Sequence, residues 1–565
     1  MRRASSIVAA LACVAIGGGG IAAAPAAASP VVVPASQITL RAPAGADVGT
    51  VLFSERDGQV HVRVRASGLT PGFHGFHVHS VGQCDGSTTP PFTSAGGHWS
   101  PDSAAHGAHD GDMPPLFANA DGAVTEDFVT DAFTVAALRD NDGAAVIVHA
   151  APDNLGNIPA RYSFTNADGS TGTGPDAATK ATGDSGARVA CGVLSTASSG
   201  PQYVNSTRGR TARAALRTAA GAAAGLVRFS PVGTDRVHVS VDASGLTPGF
   251  HGFHVHSVGQ CDGTTPTPFS SAGGHLGAGG SDHGKHAGDM PALFANADGR
   301  ARAEFDTDAY TLAQVLDADG GALVIHAAPD NLANIPTRYS FTNADGSAGT
   351  GPDAVTKATG DSGGRVLCGV VAVPPPPATV GLRLDFPVVT AGNTPLLLCS
   401  VKDAAGAGAP DVEVTFFAKR YGETAYTQIG SGFSDEAGAV SLVVRPETQT
   451  AYVARVTGLP DARALVAVNA RVTVTSLTGG PVGQAPSTVA GRVLPAYVGA
   501  PVGLGVITGS GAAARYTYLG QTTTTAGGEF RITASFPAET SAYIVYVSAR
   551  HGTRRGSTSR DLTGR

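Results

Sequence analysis

The stretch GFHGFHVHSVGQCDG occupies residues 72–86 and recurs letter for letter at 249–263, a spacing of 177 residues. A strand shows alternate side chains on opposite faces, so His77 and His79, two apart in an apolar run, share one face, as do His254 and His256. Two imidazoles on one face can grip one ion. The same spacing relates His98 to His275, His106 to His283, His109 to His286, Asp112 to Asp289, His149 to His326, Arg188 to Arg365 and Cys191 to Cys368. One module is therefore present twice.

Working outward, the modules are expected at 37–196 and 211–373, with a Ser-, Gly- and Arg-bearing linker at 197–210 and a Pro-rich spacer at 374–378. Within them HisValArgValArg from His61 and HisValSerValAsp from His238 alternate as half-buried strands do. Beyond the spacer, ValGluValThrPhePhe from Val412 and TyrIleValTyrVal from Tyr543 read as strands between turns. Two small β-sandwiches of immunoglobulin-like pattern are expected there, at 379–475 and 476–565. The whole chain should be all-β. With 565 residues it exceeds a single core, Gly (76) and Pro (36) make up about a fifth of it, and only 15% is charged. Cys399, in an apolar strand pattern, reads as a buried residue.

Arg2 and Arg3 precede an apolar run from Ile7 to Ile21 and small residues ending at Ala28, the pattern of a signal peptide at 1–28. The expected location is secreted or attached to the cell envelope. Cys13 does not match a lipoprotein site, and the export route stays open. No later stretch has the roughly 20 apolar residues of a spanning helix. A net charge of −6 with no basic, aromatic-interleaved stripe excludes nucleic acid as a partner.

Of 17 histidines, 16 fall in the two modules, eight in each. His98, His106, His109 and Asp112, and likewise His275, His283, His286 and Asp289, offer three imidazoles and a carboxylate on Gly-rich loops, a set that suits tetrahedral zinc. His77, His79 and His149, the last at the end of ValIleValHis, suit copper, as do His254, His256 and His326. Spacing alone leaves open which ion sits where.

GlyPheHisGlyPheHisValHis, SerAlaGlyGlyHis, HisXaaGlyAsp, a valine-rich strand ending in His, and AspSerGlyAlaArgValAlaCysGly together resemble the copper/zinc superoxide dismutase family over both modules. The resemblance implies Greek-key β-sandwich or barrel modules that bind copper and zinc. Copper would be held by His77, His79 and His149, with His98 bridging it to zinc held by His106, His109 and Asp112. The second module would use His254, His256 and His326, His275 as bridge, and His283, His286 and Asp289. Asp153 and Asp330 match the carboxylate that holds a copper and a zinc histidine from behind, and His74 and His251 match a structural position. Cys84 with Cys191, and Cys261 with Cys368, match the disulfide of each module. Arg188 and Arg365 match the arginine that orients superoxide beside copper, whereas Lys180 and Lys357, one place off the pattern, read equally well as steering or plain surface charge. By the same resemblance His98 and His275 would carry a proton between half-reactions.

The implied substrate is superoxide, converted to oxygen and hydrogen peroxide. Two other readings stay open: an exported copper and zinc binding protein without efficient turnover, and a surface adhesion protein with a cell-wall or surface partner on its C-terminal sandwiches. Whether the two modules pair within the chain is open as well. Asp110 follows His109 where Ala287 follows His286, so the two zinc loops need not be equal in strength.

Overall fold

The computed structural model describes residues 36–194, 212–435, 437–479, 483, 485–509, 513–549 and 553–561. The expected signal peptide with Cys13, the linker 197–210 and His551 lie outside the described residues. The chain divides into two compact units, the first ending at Ala372 and the second beginning at Val373. Both are built of strands. Among the described residues no helix is long and apolar enough to cross a membrane.

In the first unit a single path of fourteen hydrogen-bonded strands runs through both modules. From one end come Phe76–His79, Ala145–His149, Arg188–Val193, Ser36–Arg41, Asp47–Arg56, Gln59–Ala66 and Val124–Thr130. The path then crosses to Ala301–Thr307 and runs through Arg236–Ala243, Ala223–Val232, Ala212–Thr218, Arg365–Ala372 and Ala322–His326 to Phe253–His256. The order reads the same from either end. At the crossing Ala303 lies opposite Phe128 and Phe305 opposite Glu126.

Sequence explains these strands directly. In Gln59–Ala66 the residues Val60, Val62, Val64 and Ala66 are buried while the residues between them are only partly covered, as a pleated strand with one core face requires. Ala145–His149 is buried throughout and reads as an uninterrupted apolar run for that reason. Phe53, Phe76, Phe229, Phe253 and Phe305 are almost fully enclosed, each burial contributing roughly 1.5–3 kcal/mol. Disulfides Cys84–Cys191 and Cys261–Cys368, each spanning 107 residues, tie a long loop of each module to the strand beside its last histidine.

The modules also meet away from the sheet crossing. Ser163 pairs with Ser340 as a strand neighbour, and Arg161 of the first module reaches Asp353 (2.5 Å) and Asp361 (2.8 Å) of the second. Arg338 reciprocates with Asp176 (2.5 Å) and Asp184 (2.7 Å). Each arginine thereby grips the short helix Ala177–Thr182 or Ala354–Thr359 at its N-cap aspartate, whose carboxylate also accepts from the backbone N–H three residues on.

The second unit holds two cores. Leu397, Cys399, Val401, Val414, Phe416 and Val466 pack in the first, and Val489, Val502, Leu504, Val506, Tyr543 and Val545 in the second. Strand Arg471–Gly479 pairs with Pro486–Leu494 and so belongs to the second core, a few residues ahead of the boundary expected at 476. Burial pushes the Cys399 thiol up to about 11, in keeping with a residue that packs and does not react.

Candidate metal centres

Strand Phe76–His79 carries His77 and His79, and two loop segments run beside it. Val78 donates its N–H to Gly111 O (2.8 Å) and accepts from Trp99 N–H (2.9 Å), which lays Asp112 opposite His77 and His98 opposite His79. His149 arrives on the neighbouring strand, where Phe76 faces Val148. Two donor groups result. His77, His79, His98 and His149 form one, and His77, His98, His106 and Asp112 the other, with the ligand atoms of each group within 4.8 Å of one another. The second module repeats them as His254, His256, His275 and His326, and His254, His275, His283 and Asp289.

His109 joins the second group by its contacts. Asp112 Oδ1 lies 3.1 Å from His106 Nδ1, 3.2 Å from His98 Nδ1 and 3.3 Å from His109 Nδ1. In the other module Asp289 Oδ1 stands 3.1, 3.2 and 3.4 Å from the Nδ1 atoms of His283, His275 and His286. One carboxylate oxygen among three ring nitrogens is the donor set zinc takes. His98 spends its Nδ1 there, which leaves its Nε2 for the all-histidine group.

The orientation of four further rings, those of His77, His106, His79 and His149, is set by a hydrogen bond on the far side. Asp153 Oδ2 accepts from His77 Nε2 (2.5 Å) and Asp153 Oδ1 from His106 Nε2 (2.7 Å). Gly96 O accepts from His79 Nδ1 (3.1 Å) and Gly186 O from His149 Nδ1 (3.1 Å). The inward nitrogens His77 Nδ1, His79 Nε2, His106 Nδ1 and His149 Nε2 are then buried with no hydrogen-bond partner, as are His254 Nδ1 and His283 Nδ1. Buried ring nitrogens left unsatisfied in this way would each be costly. Metal ions are what such nitrogens fit: outer hydrogen bonds of this kind fix the tautomer that leaves the ligating nitrogen bare.

Electrostatics follow from the enclosure. Burial, reinforced by the neighbouring His77, pushes His98 down to about 3, and His275 is pushed to about 3 in the same way by burial and His254. Burial and nearby rings hold His79 and His149 well below the ordinary histidine range. These rings are neutral and able to ligate at physiological pH. Burial also opposes charge on His106, but Asp153 and Asp112 on either side outweigh it and raise it to about 10. A proton would therefore have to leave His106 before its Nδ1 could bind a cation.

Arg188 is half-buried and donates to Phe92 O (2.6 Å) and Gly96 O (2.5 Å). Gly96 O is thus shared between the guanidinium and His79, which fixes the cation beside the all-histidine group. Arg365 repeats this with Phe269 O and Gly273 O, each at 2.6 Å. Lys357 pairs with Asp282 at 3.2 Å on the surface, while the residue matching Asp282 beside Lys180 is Ala105. His74 lies between His149 O (2.6 Å) and Thr70 O (2.7 Å), a bracing position outside both donor groups.

Some functional groups are backbone atoms or glycines that ligand reasoning passes over. The carbonyls of Phe92, Gly96 and Gly186 are three. Gly183 is a fourth: at φ +57° it ends the helix Ala177–Thr182, and a Cβ there would collide with Asp153 Oδ1 and His106 Nε2. The doubled glycine of SerAlaGlyGlyHis and the glycine after the helix were the available signals.

A family model described as copper/zinc superoxide dismutase matches residues 48–194 and again 223–371, just over half the chain. A protein of Mycolicibacterium paratuberculosis named superoxide dismutase (Cu-Zn) is 41% identical over 178 residues, 29% of this chain and 76% of the relative. A protein of the same name from Mycobacterium bovis is 43% identical over 134 residues, 22% of this chain and 54% of the relative. The solved Cu/Zn superoxide dismutase of Brucella abortus is 33% identical, with 28% of this chain and 99% of that one covered and a TM-score of 0.23. The chain belongs, through both of its modules, to the copper/zinc superoxide dismutase family of oxidoreductases, whose metals are copper and zinc.

Proposed function

We propose that each module is a working dismutase centre in which His98 or His275 bridges a copper site to a zinc site, and that the protein acts outside the cytoplasm. The reaction converts two superoxide anions and two protons to oxygen and hydrogen peroxide. The observation that carries this reading is the set of buried, partnerless ring nitrogens of His77, His79 and His149 gathered at one point, beside three ring nitrogens that surround a single carboxylate oxygen of Asp112 at the next. Copper would be held by His77, His79, His98 and His149 and zinc by His98, His106, His109 and Asp112, with His254, His256, His275, His326, His283, His286 and Asp289 matching in the second module. When bound, copper supplies one-electron exchange and zinc a fixed positive charge.

The chain's own residues do the rest. Arg188 and Arg365, fixed by two carbonyls each, present a cation that draws a small anion to the all-histidine group and orients it. His98 and His275 hold and hand over a proton at Nε2, the ring nitrogen turned away from the carboxylate. Asp153 and Asp330 keep two imidazoles aimed inward. A storage protein needs the ligands but not the anchored arginine, which favours turnover over sequestration. Export fits the pattern of residues 1–28 and two disulfides, which persist in oxidising compartments. The C-terminal unit, with Tyr516 and Tyr518 half exposed on one strand, is assigned the contact with a cell-wall or surface partner.

Metal content by mass spectrometry of the purified chain, paired with superoxide consumption before and after copper removal, tests the reading. Two coppers and two zincs per chain, with activity lost on copper removal and regained on its return, are expected. A fully loaded chain that leaves superoxide untouched would overturn the dismutase assignment.

A further inference from the structure

Asp153 is sealed from solvent and does its work only if its two oxygens stay on His77 and His106. Two backbone segments wall it in. One is Pro152 to Asn154. The other is Gly183 to Asp184, where the missing Cβ of Gly183 makes room for Asp153 Oδ1, and where Gly183 O accepts from Asn154 N–H at 3.0 Å. A side chain from the other module bridges both walls. Asn334 Nδ2 donates to Pro152 O (2.7 Å) and to Asp184 O (3.1 Å), and the Asn334 carbonyl accepts from Asn154 Nδ2 (3.2 Å).

The second module is held by the same device in reverse. Asn157 Nδ2 of the first module donates to Pro329 O (2.7 Å) and Asp361 O (3.1 Å), on either side of Asp330. Asn331 Nδ2 donates to Asn157 O (3.2 Å). Arg161 and Arg338 clamp the same loops through Asp361 and Asp184. Asn154 and Asn331 are wholly buried, so these amides have no water to fall back on, and an unmade bond there would be expensive.

We propose that each module's metal centre is completed by the other: Asn334 is a positioning residue for the centre built on Asp153, and Asn157 for the one built on Asp330. This rests on the reading that His77, His106 and their counterparts are metal ligands. It predicts crossed behaviour, in which the damage from a substitution appears in the module that does not contain it. The carboxylate behind metal-ligating histidines commonly governs affinity by 10 to 100-fold, and loosening its seat should cost about 10-fold, the lower end of that range.

The test uses the full chain. His286→Ala disables zinc binding in the second module, so chelator competition then reports the first. On that background Asn334→Ala should weaken zinc about 10-fold, and Asn157→Ala should leave it unchanged; with His109→Ala in place of His286→Ala the two results should swap. A second arm needs no metal. In the metal-free chain the Nε2 protons of His77 and His106, followed by nitrogen-correlated NMR, should exchange faster with water in Asn334→Ala, and those of His254 and His283 should not. Where Asn334→Ala does not fold, Asn334→Ser keeps a small polar side chain too short to reach both carbonyls. Effects confined to the substituted module, or absent from both arms, overturn the proposal. A parent chain that takes up no zinc would sink the metal reading alone, because the proton-exchange arm still decides the positioning role.

Discussion

The two modules agree closely around their central histidines and part company just outside. His77 and His254 sit 2.5 and 2.6 Å from their aspartates, and Arg188 and Arg365 make matching carbonyl contacts. Yet the loop after His98 reads WSPDSAAHGAHDGD where the loop after His275 reads LGAGGSDHGKHAGD. In the second, Ser281 O accepts from His286 Nε2 at 3.0 Å and the imidazole is wholly covered. The matching His109 imidazole keeps 7% of its surface exposed. At the sheet crossing Arg63 and Arg65 pair with Asp127 on one side, while His238 faces Asp306 and Glu304 on the other. Ligand geometry is thus duplicated, and the surroundings that tune it are not.

The largest test of that comparison removes the bridging histidines. If both centres turn over, His98→Ala and His275→Ala should each leave about half the superoxide consumption, and the double variant only the uncatalysed rate. A single substitution that abolished all activity would show that the modules do not share the work. Next comes the disulfide. For a 107-residue loop the chain-entropy model assigns about 4–5 kcal/mol to Cys84–Cys191 and the same to Cys261–Cys368, so paired Cys→Ser variants of either module should lower denaturant stability alike. Unequal losses would place a difference in the frames themselves.

Zinc should separate the modules more finely. The hydrogen bond from His286 Nε2 fixes the tautomer that frees Nδ1, whereas Asp110 beside His109 is only partly exposed and its charge is partly screened. Chelator titration should find the second module's zinc about 10-fold tighter, the low end for an outer hydrogen bond, and equal affinities would refute the role given to Ser281.

The smallest effect is one of pH, and its sign differs between modules. Burial opposes charge on His238, but Asp306 and Glu304 outweigh it and its pKa is raised. Its contribution is therefore full below the unfolded value near 6.5 and is lost as pH rises through the raised one. His61, the matching residue, is lowered by burial and Arg56, so its contribution is full above that value and is lost as pH falls. His238→Ala and His61→Ala should tilt the stability profile between about pH 5 and 8 in opposite directions; parallel profiles would refute the assignment.

Much of the centre was legible beforehand because ligand chemistry depends on residue type and spacing. His77 and His79 announce themselves as alternate residues of one strand, and a constellation copied at a spacing of 177 residues leaves little room for chance. The supporting atoms were harder to see. Gly96 O and Phe92 O are backbone groups that any residue type could supply, so nothing in their letters marks them. Asn157 and Asn334 look like turn residues in sequence. They touch the opposite module's loops across separations of 172 and 182 residues.

From its amino-acid order alone the chain was committed to two copies of a histidine-rich β module, to the ligand types within each, and to a β-rich C-terminal region. Apolar periodicity and donor chemistry are local properties that survive being read in one dimension. The palindromic order of the sheet, the crossed asparagines and the unequal zinc loops were decided only in three dimensions. Each depends on which distant backbone carbonyl comes to rest beside a given N–H, and packing alone settles that.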